Sequence, residues 1–191
     1  GVSDRPPSIH TASLNSHLPS SGGTIAITGA DFGPDPVARL MRNGAQSFGT
    51  SITSYDSSGH ASMTLSIGAG QGNCTLEADA GGQVARYWYA YAPPTLTSIT
   101  PETTATEGGV AMAIYGSNLG LGSHYAVSFV NGSTSFSTPA LVVTGFYADR
   151  VDMVSPEGQA PGPLLVILTV CADSAVPSTC IDSEGSVKFR F

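Results

Sequence analysis

Charge is scarce in this chain of 191 residues, because only 11% of the residues are charged and Lys188 is the only lysine. The net charge is -7, and the arginines are scattered along the chain. A nucleic-acid partner requires clustered Lys and Arg side chains that neutralise phosphates. The composition therefore predicts that nucleic acid is not a partner.

Long apolar runs and helical periodicity are also lacking. The longest predominantly apolar stretch, residues 164–170, has seven residues including Thr169, whereas a bilayer-spanning helix needs about 20. We therefore expect no direct membrane insertion within this chain. The 23 Gly and 13 Pro residues are spread throughout, and both types disfavour helix interiors. The sequence predicts a turn-rich β protein.

An internal repeat organises the chain. The segment Pro-Pro-Ser-Ile at 6–9 returns as Pro-Pro-Thr-Leu at 93–96, and the glycine-rich segment 22–33 returns at 108–120 with one inserted residue. A repeat of this length indicates that the same structural unit occurs twice in the chain.

The repeat predicts two domains, 1–92 and 93–191. Within each copy, apolar residues alternate with polar ones, as at Ile25 and Ile27 or at Met112 and Ile114. A period of two indicates strands with one buried face. About seven short strands in some 90 residues is typical of an immunoglobulin-like sandwich.

The repeated motif resembles a known family. It comprises a proline-led first strand, a Gly-Gly pair before an alternating strand that ends at Gly, and a late Pro-Gly-Pro strand, seen in the second copy at 101, 108–109, 115–119 and 162–166. These features resemble the IPT/TIG domain, an immunoglobulin-like fold of plexins, Rel-type transcription factors and some polysaccharide-active enzymes. The resemblance implies an all-β fold of two tandem immunoglobulin-like β-sandwiches, and leaves function open.

The cysteines favour an oxidising compartment. Cys171 and Cys180 flank a turn-like segment of eight residues, so a disulfide there can join neighbouring strands; two free thiols are the alternative. Cys74 has the parity of an inward-facing residue, which predicts a buried thiol. The sequons at Asn73 and Asn131 are candidate glycosylation sites.

Motifs for catalysis and metal binding are absent from the sequence. It contains no His-x-His, His-Glu-x-x-His, Cys-x-x-Cys or Gly-x-Ser-x-Gly pattern, which are the usual signatures of zinc sites and of hydrolase nucleophiles. We therefore expect no catalytic residue, no metal site, no cofactor and no enzymatic activity.

Two surface features remain as candidate partner surfaces. In the last strand of the first domain, Trp88 and Arg86 have the parity of outward-facing residues, and an outward tryptophan suits a sugar ring or a partner protein. Packing beneath a loop or a neighbouring domain is the alternative. In the second domain, alternation is lost at Leu165 and Ile167, which indicates either a covered second face or an exposed apolar patch.

These features predict a non-catalytic pair of modules within a larger extracellular or cell-surface protein. It would act in adhesion or recognition and as a spacer, with a protein or glycan of the cell surface or matrix as its partner. The alternative is a carbohydrate-binding accessory module of a polysaccharide-active enzyme, with Trp88 and neighbouring tyrosines as the stacking surface.

Overall fold

The computed structural model describes residues 5–12, 17–42, 45–46, 50–131, 134–137, 143–157, 162–172, 175, 177–185 and 187–191. The chain separates into two compact units, Gly1–Ala92 and Pro93–Phe191. Both are built from β-strands, and the helical structure in the described ranges is one short 3-10 turn, Pro177–Thr179. No helix in these ranges is long and apolar enough to cross a membrane.

The described residues of the first unit form eight strands in two antiparallel sheets. One sheet has the order β1-β2-β6-β5 and the other the order β4-β3-β7-β8. The strands are β1 (Ser8–Ala12), β2 (Gly23–Ala30), β3 (Val37–Arg42), β4 (Ala45–Gln46), β5 (Thr50–Tyr55), β6 (Ser62–Ile67), β7 (Asn73–Ala80) and β8 (Gln83–Ala90).

In the second unit, nine strands lie within the described ranges. One sheet has the order β13-β14-β10-β9, and the other the order β12-β11-β15-β16, with β17 also paired to β15. The strands are β9 (Thr95–Thr100), β10 (Ala111–Ser117), β11 (Tyr125–Asn131), β12 (Thr134–Ser137), β13 (Val143–Phe146), β14 (Arg150–Val154), β15 (Pro163–Cys171), β16 (Cys180–Asp182) and β17 (Val187–Arg190).

The two units share one strand order. The sheet β1-β2-β6-β5 corresponds to β9-β10-β14-β13, and β4-β3-β7-β8 corresponds to β12-β11-β15-β17. The predicted all-β fold of two tandem immunoglobulin-like sandwiches is therefore confirmed, and the shared strand order lets residues on paired strands of one unit be matched with residues of the other.

Each unit has its own core between its two sheets. In the first unit, Ile25 and Leu65 of one sheet lie in the same cluster as Leu40 and Leu76 of the other. In the second unit the cluster includes Ile114, Val151, Phe129, Val166 and Phe189. The alternating residues thus bury one face of each sheet, and the side chains between them point to the opposite, outer face.

The cysteines are placed as the sequence predicted. Cys171 and Cys180 form a disulfide between β15 and β16, where the two residues are direct cross-strand partners. Cys74 is a buried free thiol, 4% exposed, in the core of the first unit. The disulfide closes the connection that contains the 3-10 turn.

Candidate recognition surface

Trp88 projects from the outer face of the first unit. On β8, Ala85 and Tyr89 are buried, Tyr87 packs partly buried against the core, and Trp88 between the two tyrosines is 63% exposed. The alternation of β8 produces this arrangement, because successive side chains of a strand point to opposite faces. The tyrosines next to Trp88 therefore belong to the core, and only the tryptophan is presented outward.

Three strands form the flat surface around Trp88, which we term the tryptophan face. Thr75 pairs with Met41 on one side and with Trp88 on the other. Every second residue along each strand lies on this same face, so two further rows of paired residues follow: Arg39, Glu77 and Arg86, then Val37, Asp79 and Val84. The face comprises Val37, Arg39 and Met41 of β3, Thr75, Glu77 and Asp79 of β7, and Val84, Arg86 and Trp88 of β8.

Exposed apolar side chains concentrate on this face. Val37 is 45% exposed and Val84 is 37% exposed, and the two flank Asp79 in one row. With Trp88 they make up the large apolar side chains of the first unit that are exposed within its described residues. Three such residues on one sheet face make it a candidate surface for a partner.

Two ion pairs lie between the apolar residues. Arg86 donates from Nε to Glu77 Oε1 at 2.7 Å, and Arg39 Nη1 lies 3.4 Å from Asp79 Oδ2. The Glu77 side chain is only 12% exposed, whereas that of Arg86 is 67% exposed. The charges on the face balance, and the Arg86 guanidinium is the polar group most available to a partner beside Trp88.

Leu165 and Ile167 lie on the corresponding face of the second unit. Leu165 pairs with Lys188 in the way that Thr75 pairs with Trp88. Both residues are half-buried, and neither is among the exposed large apolar side chains. Both side chains are thus partly covered, and the position that corresponds to Trp88 is occupied by Lys188.

A second surface, which the sequence reasoning missed, lies on the other sheet of the second unit. A groove there is lined by Thr100, Ala111, Met112, Ala113, Tyr115, Thr144, Asp152 and Met153. Tyr115 is 38% exposed, and nearby Tyr147 is 50% exposed. The sequence does contain a sign of this surface. Tyr115 lies on the same, outward-facing side of its alternating strand as Ala111 and Ala113, just as Trp88 lies on the outward-facing side of β8.

Side chains that could catalyse a reaction or hold a metal are dispersed. Among the described residues, no three His, Cys, Asp or Glu side chains come together as a metal site. His60 instead stacks on Tyr55, and its Nδ1 lies 2.7 Å from the Tyr55 hydroxyl. Burial and the neighbouring Asp56 and Asp35 carboxylates raise the pKa of Tyr55, which keeps the hydroxyl protonated in this loop contact.

The fold and its exposed faces define a pair of immunoglobulin-like β-sandwich modules. Residues 94–181 match the model of the IPT/TIG domain family, so the second unit is an IPT/TIG domain. The first unit repeats its strand order. Domains of this family and fold are generally non-catalytic modules.

Several solved structures are similar to the chain. The plexin A4 extracellular region is 16% identical with a TM-score of 0.40, over 96% of this chain and 18% of that one. SGBP-B from a complex xyloglucan utilization locus in Bacteroides uniformis is 13% identical with a TM-score of 0.35, over 97% of this chain and 49% of that one. Titin Ig tandem domains A164-A165 are 11% identical with a TM-score of 0.31, over 97% and 99%.

This chain therefore spans less than a fifth of the plexin structure and about half of the Bacteroides one. No curated protein sequence matches it.

Proposed function

We propose that the chain is a non-catalytic recognition module of a larger extracellular or cell-surface protein, and that its tryptophan face binds a partner protein. The observation that carries this proposal is the 63% exposure of Trp88 on a flat face with Val37 and Val84. Tryptophan and arginine are the residues most enriched at the energetic centres of protein interfaces. Trp88 and Arg86 supply both on adjacent rows of one sheet.

The layout of the face favours a protein partner over a sugar chain at this place. A sugar-binding platform for an extended glycan gains from further exposed aromatic rings, because each ring stacks on one residue of the chain. Tyr89 and Tyr91 are buried, and Tyr87 packs against the core. Instead, aliphatic Val37 and Val84 and two arginine-carboxylate pairs surround Trp88, which matches the mixed apolar and polar make-up of protein interfaces.

The disulfide supports a location outside the cytosol. Structural disulfides persist in oxidising compartments, and Cys171–Cys180 joins two strands of the second unit. Mass spectrometry of the natively produced protein, with and without reduction, tests this point. A secreted protein with neither this disulfide nor any glycan, or a complete reading frame without a secretion signal, would contradict the proposed location.

Glycosylation at Asn131 and Asn73 stays a prediction, and the two sites differ in their surroundings. Asn131 is exposed at the end of β11, and the rest of its sequon lies outside the described residues. Asn73 is half-buried and, by alternation on β7, lies on the side of Thr75, the cross-strand partner of Trp88. A glycan at Asn73 would cover part of the tryptophan face.

Binding of the intact chain to an array of recombinant extracellular proteins tests the proposed function. Tetramers of the chain are compared with tetramers that carry Trp88→Ala or Arg86→Ala. We expect at least a tenfold loss of binding with Trp88→Ala and a smaller loss with Arg86→Ala. Lys188→Ala, at the corresponding position of the second unit, is the matched control and should bind like the unchanged chain.

Two results would overturn the proposal. One is the absence of any saturable binding to the array by the properly folded tetramer. The other is a bound protein whose affinity does not change with Trp88→Ala. Enzymatic turnover by the chain would overturn its non-catalytic part.

A further inference from the structure

The groove on the second unit differs from the same surface of the first unit. Row by row, Ala113 pairs with Asp152 and Tyr115 pairs with Arg150 between β10 and β14. The corresponding rows of β2 and β6 pair Ala26 with Thr64 and Thr28 with Ser62. The fold is thus maintained with small hydroxyl residues in one unit, so the sheet itself does not require the aromatic and charged side chains of the other.

Small residues make the floor of this groove. Ala111 and Ala113 lie on the outer face of β10, and the space above them, which is open to solvent, is about 370 Å³. Thr100 and Thr144 line the groove from the two flanking strands. Their hydroxyls can donate and accept hydrogen bonds.

Gly145 allows an aromatic ring to lie close to the sheet beside the groove. Gly145 is the cross-strand partner of Asp152 on β13. A β-carbon at Gly145 would lie 2.9 Å from Tyr147 Cε2 and 3.3 Å from Asp152 Oδ2. The absence of a side chain therefore makes room for the Tyr147 ring next to the Asp152 carboxylate.

The charged groups at this end of the groove neutralise each other. Arg150 donates from Nη2 to Asp152 Oδ2 at 2.7 Å, and its guanidinium carbon lies 4.9 Å from the centre of the Tyr147 ring. The hydrogen bond to Asp152 raises the pKa of Arg150. The pair offers N–H donors and carboxylate oxygens side by side, between the exposed tyrosines 115 and 147, with no net charge.

We propose that this groove binds a neutral oligosaccharide. A sugar ring presents an apolar face of C–H groups, which suits an exposed tyrosine ring, and an edge of hydroxyls that each both donate and accept. Adjacent donors and acceptors from Arg150, Asp152 and the two threonines match that edge. An anionic ligand would meet the Asp152 carboxylate, and an apolar ligand would remove the ion pair from water without offering it polar contacts.

Isothermal titration of the full chain with defined hexasaccharides tests the proposal. The probes are cellohexaose, mannohexaose, maltohexaose and chitohexaose, with hexagalacturonate as the anionic comparison. We expect saturable binding of at least one neutral probe with a dissociation constant of about 1 mM or lower, and at least tenfold weaker binding of hexagalacturonate.

Substitutions assign the binding to the groove. Tyr147→Ala and Asp152→Asn should each weaken binding at least tenfold, because the first removes the ring and the second disrupts the ion pair. Ala113→Ile should abolish binding by filling the floor, and Ala26→Ile at the matching position of the first unit should not. Both isoleucines suit an outer strand position, and circular dichroism verifies that each variant is folded.

The outcome is independent of the role proposed for Trp88. Binding that is lost in Ala113→Ile and retained in Trp88→Ala supports the groove, whatever the protein array shows. Binding that is lost only in Trp88→Ala would overturn the groove and place the sugar on the tryptophan face. No binding of any neutral probe at millimolar concentration would also overturn it.

Discussion

Gly29 lies directly against the carbonyl group of Ser8. A β-carbon at Gly29 would be 1.9 Å from the Ser8 oxygen and 2.5 Å from Cζ of Phe32. The second unit repeats this approach at Gly116, where a β-carbon would be 2.1 Å from the Thr95 oxygen and 2.8 Å from Cδ2 of Leu119. In both units the end of the second strand therefore requires glycine, because the first strand and a buried side chain occupy the space.

We expect Gly29→Ala to destabilise the first unit by about 3 kcal/mol, because neither a backbone carbonyl nor a packed ring can move away cheaply. Urea unfolding of the full chain measures the loss. Gly23→Ala, in the same strand, is the control, since its β-carbon would have Leu18 Cδ2 as a neighbour at an ordinary 3.9 Å. Equal stability of the two variants would contradict the close approach.

The repeat in the sequence was sufficient to predict the fold, because both the glycine positions and the period of two recur. The register of one strand was less well determined. Matching Cys74-Thr75-Leu76 with Val166-Ile167-Leu168 puts the inward residues on the correct face, but the structure pairs Leu76 with Tyr87 and Val166 with Val187. Leu76 is thus the counterpart of Val166, two residues away, since alternation fixes a face and not a register.

The candidate site was only partly accessible to sequence reasoning. Parity alone indicated that Trp88 points outward, because Lys188 and Arg190 mark the solvent side of the corresponding strand. The groove of the second unit was not predicted, because it requires Tyr147, which follows β13, to lie next to Asp152 of β14 beside Gly145. Such a meeting depends on cross-strand pairing, which neither composition nor local pattern reveals.

Removal of the disulfide should destabilise the second unit. We expect the double variant Cys171→Ser with Cys180→Ser to lose about 2–3 kcal/mol, because the bridge restricts a short loop in the unfolded chain; the two cysteines are nine residues apart. Hydrogen exchange of β15 and β16, followed by mass spectrometry, reports this loss. The first unit is the internal control, and faster exchange in its strands β2 and β6 would contradict a local effect.

Alkaline conditions should destabilise the first unit through Tyr89. Burial raises the pKa of Tyr89 well above its ordinary value of 10.0. The folded chain therefore retains a proton that the unfolded chain releases, so this contribution to stability is complete below about pH 10 and declines as the pH rises further. The limiting slope for one such group is about 1.4 kcal/mol per pH unit.

Tyr89→Phe tests this dependence, because it keeps the ring and removes the titrating hydroxyl. Urea unfolding between pH 8 and about pH 11 should show a shallower loss of stability in the variant than in the unchanged chain. Tyr55, whose pKa is also raised, should account for part of the remaining slope, and Tyr55→Phe in the same background should reduce it again. Identical pH profiles for Tyr89→Phe and the unchanged chain would contradict the prediction.

The tryptophan face should contribute little to folding stability. Trp88 is 63% exposed, and the Arg86–Glu77 pair is a surface ion pair of the kind worth about 0–1 kcal/mol. We expect Trp88→Ala and Arg86→Ala each to change the free energy of unfolding by less than about 1 kcal/mol. Tyr89→Ala, one residue from Trp88 but in the core, should cost about 3–5 kcal/mol. Urea unfolding of the three variants decides between two roles for Trp88. A loss with Trp88→Ala as large as that with Tyr89→Ala would make the indole a structural element, and its exposure would no longer support partner binding.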